Sequence, residues 1–101
     1  MNKKTEALMK TLTTEKVSVI HAAFGDSPHV VAMVEVGKSW TDEAKLEHAF
    51  MKTNSIHDAW WKNKCVTKMF PKKGCRSTSV GDMVLIGETK YKCAAFGWEK
   101  I

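Results

Sequence analysis

Hydrophobic and polar positions over residues 16–24, KVSVIHAAF, alternate with a period of two. Val17, Val19, His21 and Ala23 share one side, and Ser18, Ile20, Ala22 and Phe24 the other, which predicts a strand. Gly25, Asp26, Ser27 and Pro28 are turn formers. Residues 29–36, HVVAMVEV, are apolar on nearly both sides, as in a strand from the middle of a sheet. The two segments predict an antiparallel hairpin that ends at Gly37 and Lys38. The period then changes. Leu46, Ala49, Phe50 and Thr53 fall at helical spacing on one face. Ser39 or Thr41 is placed to cap the free N–H groups, and Asp42 and Glu43 suit the positive end of the helix dipole. The helix is expected to end near Asn54.

Residues 57–74, HDAWWKNKCVTKMFPKKG, carry the weakest periodicity. Trp60 and Trp61 are adjacent, so in a strand they would point to opposite sides and one would face outward. Residues 65–70 predict a third strand and 71–74 a turn. Ser79, Val80, Gly81 and Asp82 form a tight turn: Gly81 accepts positive φ, and the Asp82 side chain can bond nearby backbone N–H groups. Met83 to Ile86 is a short apolar run rich in strand formers, which predicts a strand, and Gly87, Glu88 and Thr89 read as a hairpin loop. The returning strand over 90–96 alternates Tyr91 and Cys93 with Lys90 and Lys92. Gly97 interrupts it, which predicts a β-bulge, after which Trp98 and Ile101 resume the apolar side; Phe96, Trp98 and Ile101 argue that the chain's last residues are tied into the sheet.

The resulting fold class is α+β: a twisted, mostly antiparallel sheet of about five strands with one main helix across a face. Residues 1–15 read as a flexible or weakly helical arm, because Thr11, Thr13 and Thr14 weaken the helical turn that Ala7, Leu8 and Leu12 begin. Residues 16–101 read as a single domain.

The closing pattern, Arg76-Ser77-Thr78-Ser79-Val80-Gly81-Asp82 followed by Val84, Gly87, Tyr91, Cys93, Gly97 and Trp98, resembles a C-terminal signature of small bacteriophage and mobile-element proteins. Leu46, Glu47, His48, Ala49 and Phe50, with Thr53, Asn54, Ser55 and Ile56, resemble the helix that precedes it in that group. The resemblance covers about the last 60 residues, the scale of one small domain. Its motif residues are structural, and it transfers no catalytic residue. The hairpin also resembles those of small SH3-like and PUA-like barrels, a pattern shared by many functions. What the phage resemblance implies is a small non-enzymatic accessory protein that binds and modulates a host protein, such as a defence or transcription component, in the host cytoplasm.

Composition narrows the chemistry. The chain has 101 residues, a formal net charge of +5 and 44% hydrophobic content, enough apolar residues for a core and a charge that favours an acidic partner. There is no run of about 18 apolar residues, so no transmembrane helix is expected. Met1 to Lys16 lacks an apolar signal region, and three cysteines, an odd number, suit free thiols in a reducing cytoplasm.

Between Asp58 and Asp82 the chain has no acidic residue but carries Lys62, Lys64, Lys68, Lys72, Lys73 and Arg76, beside Trp60, Trp61 and Phe70. Cations for phosphates and aromatic rings for bases are what a single-stranded nucleic-acid surface requires. The same residues serve a protein interface, or serve only to blunt a sheet edge. These nine are the candidate partner surface, and nucleic-acid binding is the alternative function; small-molecule binding by a curved sheet is a second alternative. His21, His29, His48, His57, Cys65, Cys75 and Cys93 show no metal-ligand spacing, so no metal and no cofactor is expected. Cys75 and His57 could in principle form a nucleophile pair, though no spacing requires it. Glu35 reads as an edge or solvent-facing residue, and Arg76 with Asp82 as a turn-stabilising pair.

Overall fold

A computed structural model describes residues 13–25, 27–54 and 59–101. It contains strands β1 (Thr14–His21) and β2 (His29–Gly37), helix α1 (Asp42–Lys52), and strands β3 (Val66–Lys68), β4 (Met83–Ile86), β5 (Thr89–Ala94) and β6 (Gly97–Lys100). The architecture is α+β, as the sequence pattern predicts. All the strands join one antiparallel sheet in the order β3-β2-β1-β4-β5-β6. The sheet is open, with β3 and β6 at its edges, so the barrel suggested by the SH3-like and PUA-like hairpins does not form.

The alternation of β1 decides which side of the sheet is buried. Val17, Val19, His21 and Ala23 all lie under α1 and the segments around it, whereas Ser18 and Ile20 are only half-buried on the opposite face. β2 sits between β3 and β1, and Val31, Ala32, Val34 and Val36 are all buried. Val31 and Ala32 can both be buried because the β1–β2 register shifts: Val19 pairs with Ala32, but Ile20 pairs with Val30. A bulge changes the side to which successive residues point. Glu35 lies on an interior strand opposite Lys16 rather than at a sheet edge, and is half-buried on the face away from α1.

α1 begins where its cap chemistry directs. The Thr41 hydroxyl accepts the Ala44 N–H at 3.1 Å, so Thr41 rather than Ser39 is the cap. Leu46 and Ala49 enter the core, and Thr53 closes the helix. Two side-chain bonds tie the far strands to the helix: Tyr91 Oη donates to Asp42 at 2.8 Å, and Trp98 Nε1 donates to Glu47 at 3.0 Å. Lys45 is buried and pairs with Glu15 on β1.

Several expectations need correction. Thr14 and Glu15 already belong to β1, so the arm does not extend to residue 15; its first twelve residues lie outside the described part of the chain. Gly97 does not interrupt a strand that runs on to the last residue. Ala95 and Phe96 form a two-residue turn, Gly97 takes φ +95, and a sixth strand folds back with Trp98 opposite Cys93. A tight antiparallel connection of this kind needs a positive φ, which Gly supplies without steric cost. Phe96 at the turn tip is therefore fully exposed, and Ile101, expected on the apolar side with Trp98, is 67% exposed. The third strand is shorter than expected, and Trp60–Lys62 is a turn of 3-10 helix instead of extended chain.

Candidate functional site

The helical turn places the two tryptophans differently from a strand. Trp60 is 1% exposed, and its Nε1 donates to the Arg76 carbonyl at 3.1 Å. Trp61 is half-buried. The rings of Trp60, Trp61 and Phe70 meet edge to face or tilted, with centroids 5.4–5.6 Å apart. Phe70 is buried as well. Two of the three aromatic members of the predicted surface are thus core residues with no face to offer a base, and neither tryptophan is fully exposed. The cations divide in the same way. Lys62, Lys64, Lys68, Lys72 and Lys73 are exposed on or beside the edge strand β3, whereas Arg76 is half-buried and turned toward Asp82.

Asp82 is the electrostatic centre of the molecule. It is 0% exposed. Oδ1 accepts the N–H groups of Ala22 and Ala23 at 2.8 and 2.9 Å, and Oδ2 accepts that of Ser79 at 2.8 Å. Arg76 donates to both oxygens, at 2.6 and 2.9 Å. Burial alone would raise the carboxyl pKa. The Arg76 guanidinium and the N–H groups of Ala23, Ala22 and Ser79 outweigh it and hold Asp82 well below the usual carboxylate range. The expected turn-stabilising pair of Arg76 and Asp82 is present, and it also locks the end of β1 to the turn before β4.

His21 lies beside this carboxylate. Its ring is 1% exposed, with Nε2 3.0 Å from Thr78 Oγ1 and 3.9 Å from Asp82 Oδ2. Its Nδ1 is 3.6 Å from Cys75 Sγ. Thr78 Oγ1 is in turn 2.7 Å from Thr53 Oγ1, which is 2.7 Å from the Ala49 carbonyl at the end of α1. Cys75 is partly exposed and helps line a cleft of about 520 Å³ together with Phe24, His29, Phe70, Pro71, Lys72, Gly74 and Arg76. Cys75 therefore lies beside an imidazole, but that of His21. His57 lies outside the described residues. Cys93 differs: burial raises its thiol pKa, with Asp82 and Glu47 adding to the rise. Among the described residues no group of three histidine, cysteine or acidic side chains is arranged to hold a metal ion.

The rim of the cleft carries a conformational oddity. Phe24 takes φ +58, a region that costs a non-glycine residue roughly 1–2 kcal/mol. Its ring is nevertheless 77% exposed, stacked 5.0 Å from the Arg76 guanidinium. Val30 and Met69 are also exposed, and Met69 reaches the adjoining strand through its N–H to the Val31 carbonyl at 2.9 Å.

Sequence reasoning missed His21, Thr53 and Thr78 because their roles come from contacts 25–57 positions apart along the chain. The available signal was a histidine on the buried side of an apolar strand, which requires a polar partner somewhere. No family model, curated protein or solved structure matches the chain.

Proposed function

We propose that the protein is a small non-enzymatic accessory protein of phage type that binds and modulates a host protein, such as a component of defence or transcription. The observation that carries this reading is the surface around β3. Five exposed lysines lie on or beside β3; exposed Met69 follows that strand and bonds to Val31 next to exposed Val30, and exposed Phe24 shares a cleft with Lys72. An aromatic held outward at positive φ is a cost the core does not repay, and strain of this kind concentrates at functional positions. Apolar anchors within a charged rim form the anatomy of a protein interface. An acidic partner fits the lysines, in line with the formal net charge of +5. The resemblance of the C-terminal hairpin and the preceding helix to small phage proteins supports the phage-type reading. Among the described residues no helix is long and apolar enough to cross a membrane.

The test is affinity capture of the tagged protein from bacterial lysate with and without nuclease, repeated with Met69→Asp. A stoichiometric protein retained after nuclease and lost with Met69→Asp supports the reading. Capture that Met69→Asp leaves unchanged sinks it. Nucleic-acid binding is the second reading, favoured by the same five lysines, and it predicts that captured material disappears with nuclease. With Trp60 and Phe70 buried, such binding would rest on phosphate contacts and tolerate any sequence.

A further inference from the structure

We propose that the hollow between the start of α1 and the β5–β6 hairpin binds an alkylammonium cation, a methylated or quaternary nitrogen held against aromatic rings. Its walls stand at the other end of the sheet from β3, so the inference goes beyond the binding role above and does not depend on it.

The hollow measures about 390 Å³, within the range of small-ligand sites. Tyr91, Phe96 and Trp98 give it three aromatic walls, and Leu46 of the core also lines it. Phe96 is fully exposed at the tip of its two-residue turn, so its ring adds nothing to the core. Exposed aromatics scattered singly are ordinary, but three around one hollow form a surface with a definite chemistry. Two of these rings are held in place. Tyr91 Oη donates to Asp42 at 2.8 Å, and Trp98 Nε1 donates to Glu47 at 3.0 Å. Trp98 also meets Phe50 edge to face, with centroids 6.2 Å apart. Rings already fixed lose little freedom when a ligand settles against them.

The electrostatics select a cation. An aromatic face carries the negative part of the ring's quadrupole. Among the described residues that line the hollow, Asp42 and Glu43 are acidic and none is lysine, arginine or histidine, although the whole chain carries a formal charge of +5. Lys100 pairs with Tyr91 across the strands but lines a separate hollow with Met83 and Lys92. Asp42 and Glu43 also occupy the first turn of α1, where they offset the helix dipole and disfavour an anion. The bond to Asp42 raises the Tyr91 hydroxyl pKa, so that ring stays a neutral phenol and keeps its hydrogen bond.

The kind of cation follows from the walls. A hard metal ion takes six or more oxygen ligands, and two carboxylates among aromatic rings do not supply them. A bare ammonium holds its water tightly and asks for hydrogen-bond acceptors. A methylated nitrogen spreads its charge over apolar methyl groups, which need contact with ring faces and no hydrogen bond. The same group occurs on a free small cation such as choline and on a methylated lysine side chain.

The experiment follows the Trp98 indole N–H and the Gly97 amide by proton–nitrogen correlation NMR at constant ionic strength. The probes are tetramethylammonium chloride, choline, a short peptide carrying one trimethylated lysine, and the uncharged carbon analogue of choline. The charged probes should give saturable shifts with a Kd in the millimolar range or below, and the uncharged analogue none. Phe96→Ala should weaken tetramethylammonium binding roughly 2- to 30-fold, the range of one cation–π contact, and Glu43→Gln should weaken it as well. Phe96 is fully exposed, so its variant tests the site without disturbing the core. A tighter Kd for the peptide than for choline assigns the site to a methylated protein and the reverse to a free small cation, and either ranking supports the proposal. No saturable shift at tens of millimolar tetramethylammonium, an equal shift from the uncharged analogue, or wild-type binding by Phe96→Ala overturns it.

Discussion

Asp82 ties the end of β1 to the segment before β4: it accepts from Ala22 and Ala23, 60 and 59 positions away, and from Arg76 and Ser79 beside its own turn. Removing its charge leaves Arg76 without its carboxylate and weakens the bonds from Ala22, Ala23 and Ser79. Asp82→Asn should cost about 3 kcal/mol, the range found when one partner of a buried pair is lost, and urea unfolding measures it. The same residue sets an acid limit. Its folded-state pKa lies below that of the unfolded chain, so its stabilisation is complete above the unfolded value of about 4 and fades as pH falls below it. The unfolding midpoint of the wild type should therefore drop below pH 4, and Asp82→Asn should flatten that drop. Phe24 is the opposite case, a residue the fold would rather replace. Phe24→Gly relieves the positive φ and gives up an exposed cation–π contact, effects of similar size. Its stability should stay within about 1 kcal/mol of wild type while partner capture falls. A loss of stability with capture intact would place Phe24 in the scaffold instead of the interface.

At the scale of elements, the 3-10 turn at Trp60–Lys62 decides what the adjacent tryptophans do. Trp60 fills the space between β3 and the segment leading to Arg76, and Trp61 covers it from outside. Trp60→Ala should cost about 3–5 kcal/mol, a large share of a small domain's stability. Trp61→Ala should cost roughly half as much or less, since less of that side chain leaves water. Equal losses on thermal unfolding would contradict the burial assigned to them. The strand periodicity of β1, the apolar run of β2 and the capped helix were legible because each is a local pattern. The turn at Trp60, the two-residue turn at Ala95 and Phe96, and the register shift at Val19 were not. Each depends on which neighbour the segment packs against, and a short segment with two aromatics fits a strand or a helical turn equally well.

For the whole molecule, the uneven charge matters more than its total. Five exposed lysines, Lys62, Lys64, Lys68, Lys72 and Lys73, lie on or beside β3 with no acidic residue between them in sequence, so Lys72→Glu with Lys73→Glu should weaken an acidic partner seated there with little effect on folding. If the partner is nucleic acid, affinity should fall steeply with salt, and the double variant should flatten that dependence by about two charges' worth. If it is a protein seated on Phe24 and Met69, the dependence should be shallow and lie mostly in the association rate. Titrating salt in a binding assay separates the two.

The sequence by itself determined the fold class, because alternation and helical spacing record which side of each element avoids water. It also marked Gly81 as a turn residue, since the positive φ there, +98, excludes most other residues. What only the tertiary structure decided is which polar groups meet. Cys75 and His21 stand 54 positions apart, and the Thr53 and Thr78 hydroxyls beside that histidine come from the cap of α1 and from the segment before β4. Hydrogen bonds of a few ångströms carry no period along a chain. They are fixed only once the packing of apolar faces has brought the backbone together, and so the basic stretch could be read from the sequence while the thiol–imidazole cleft could not.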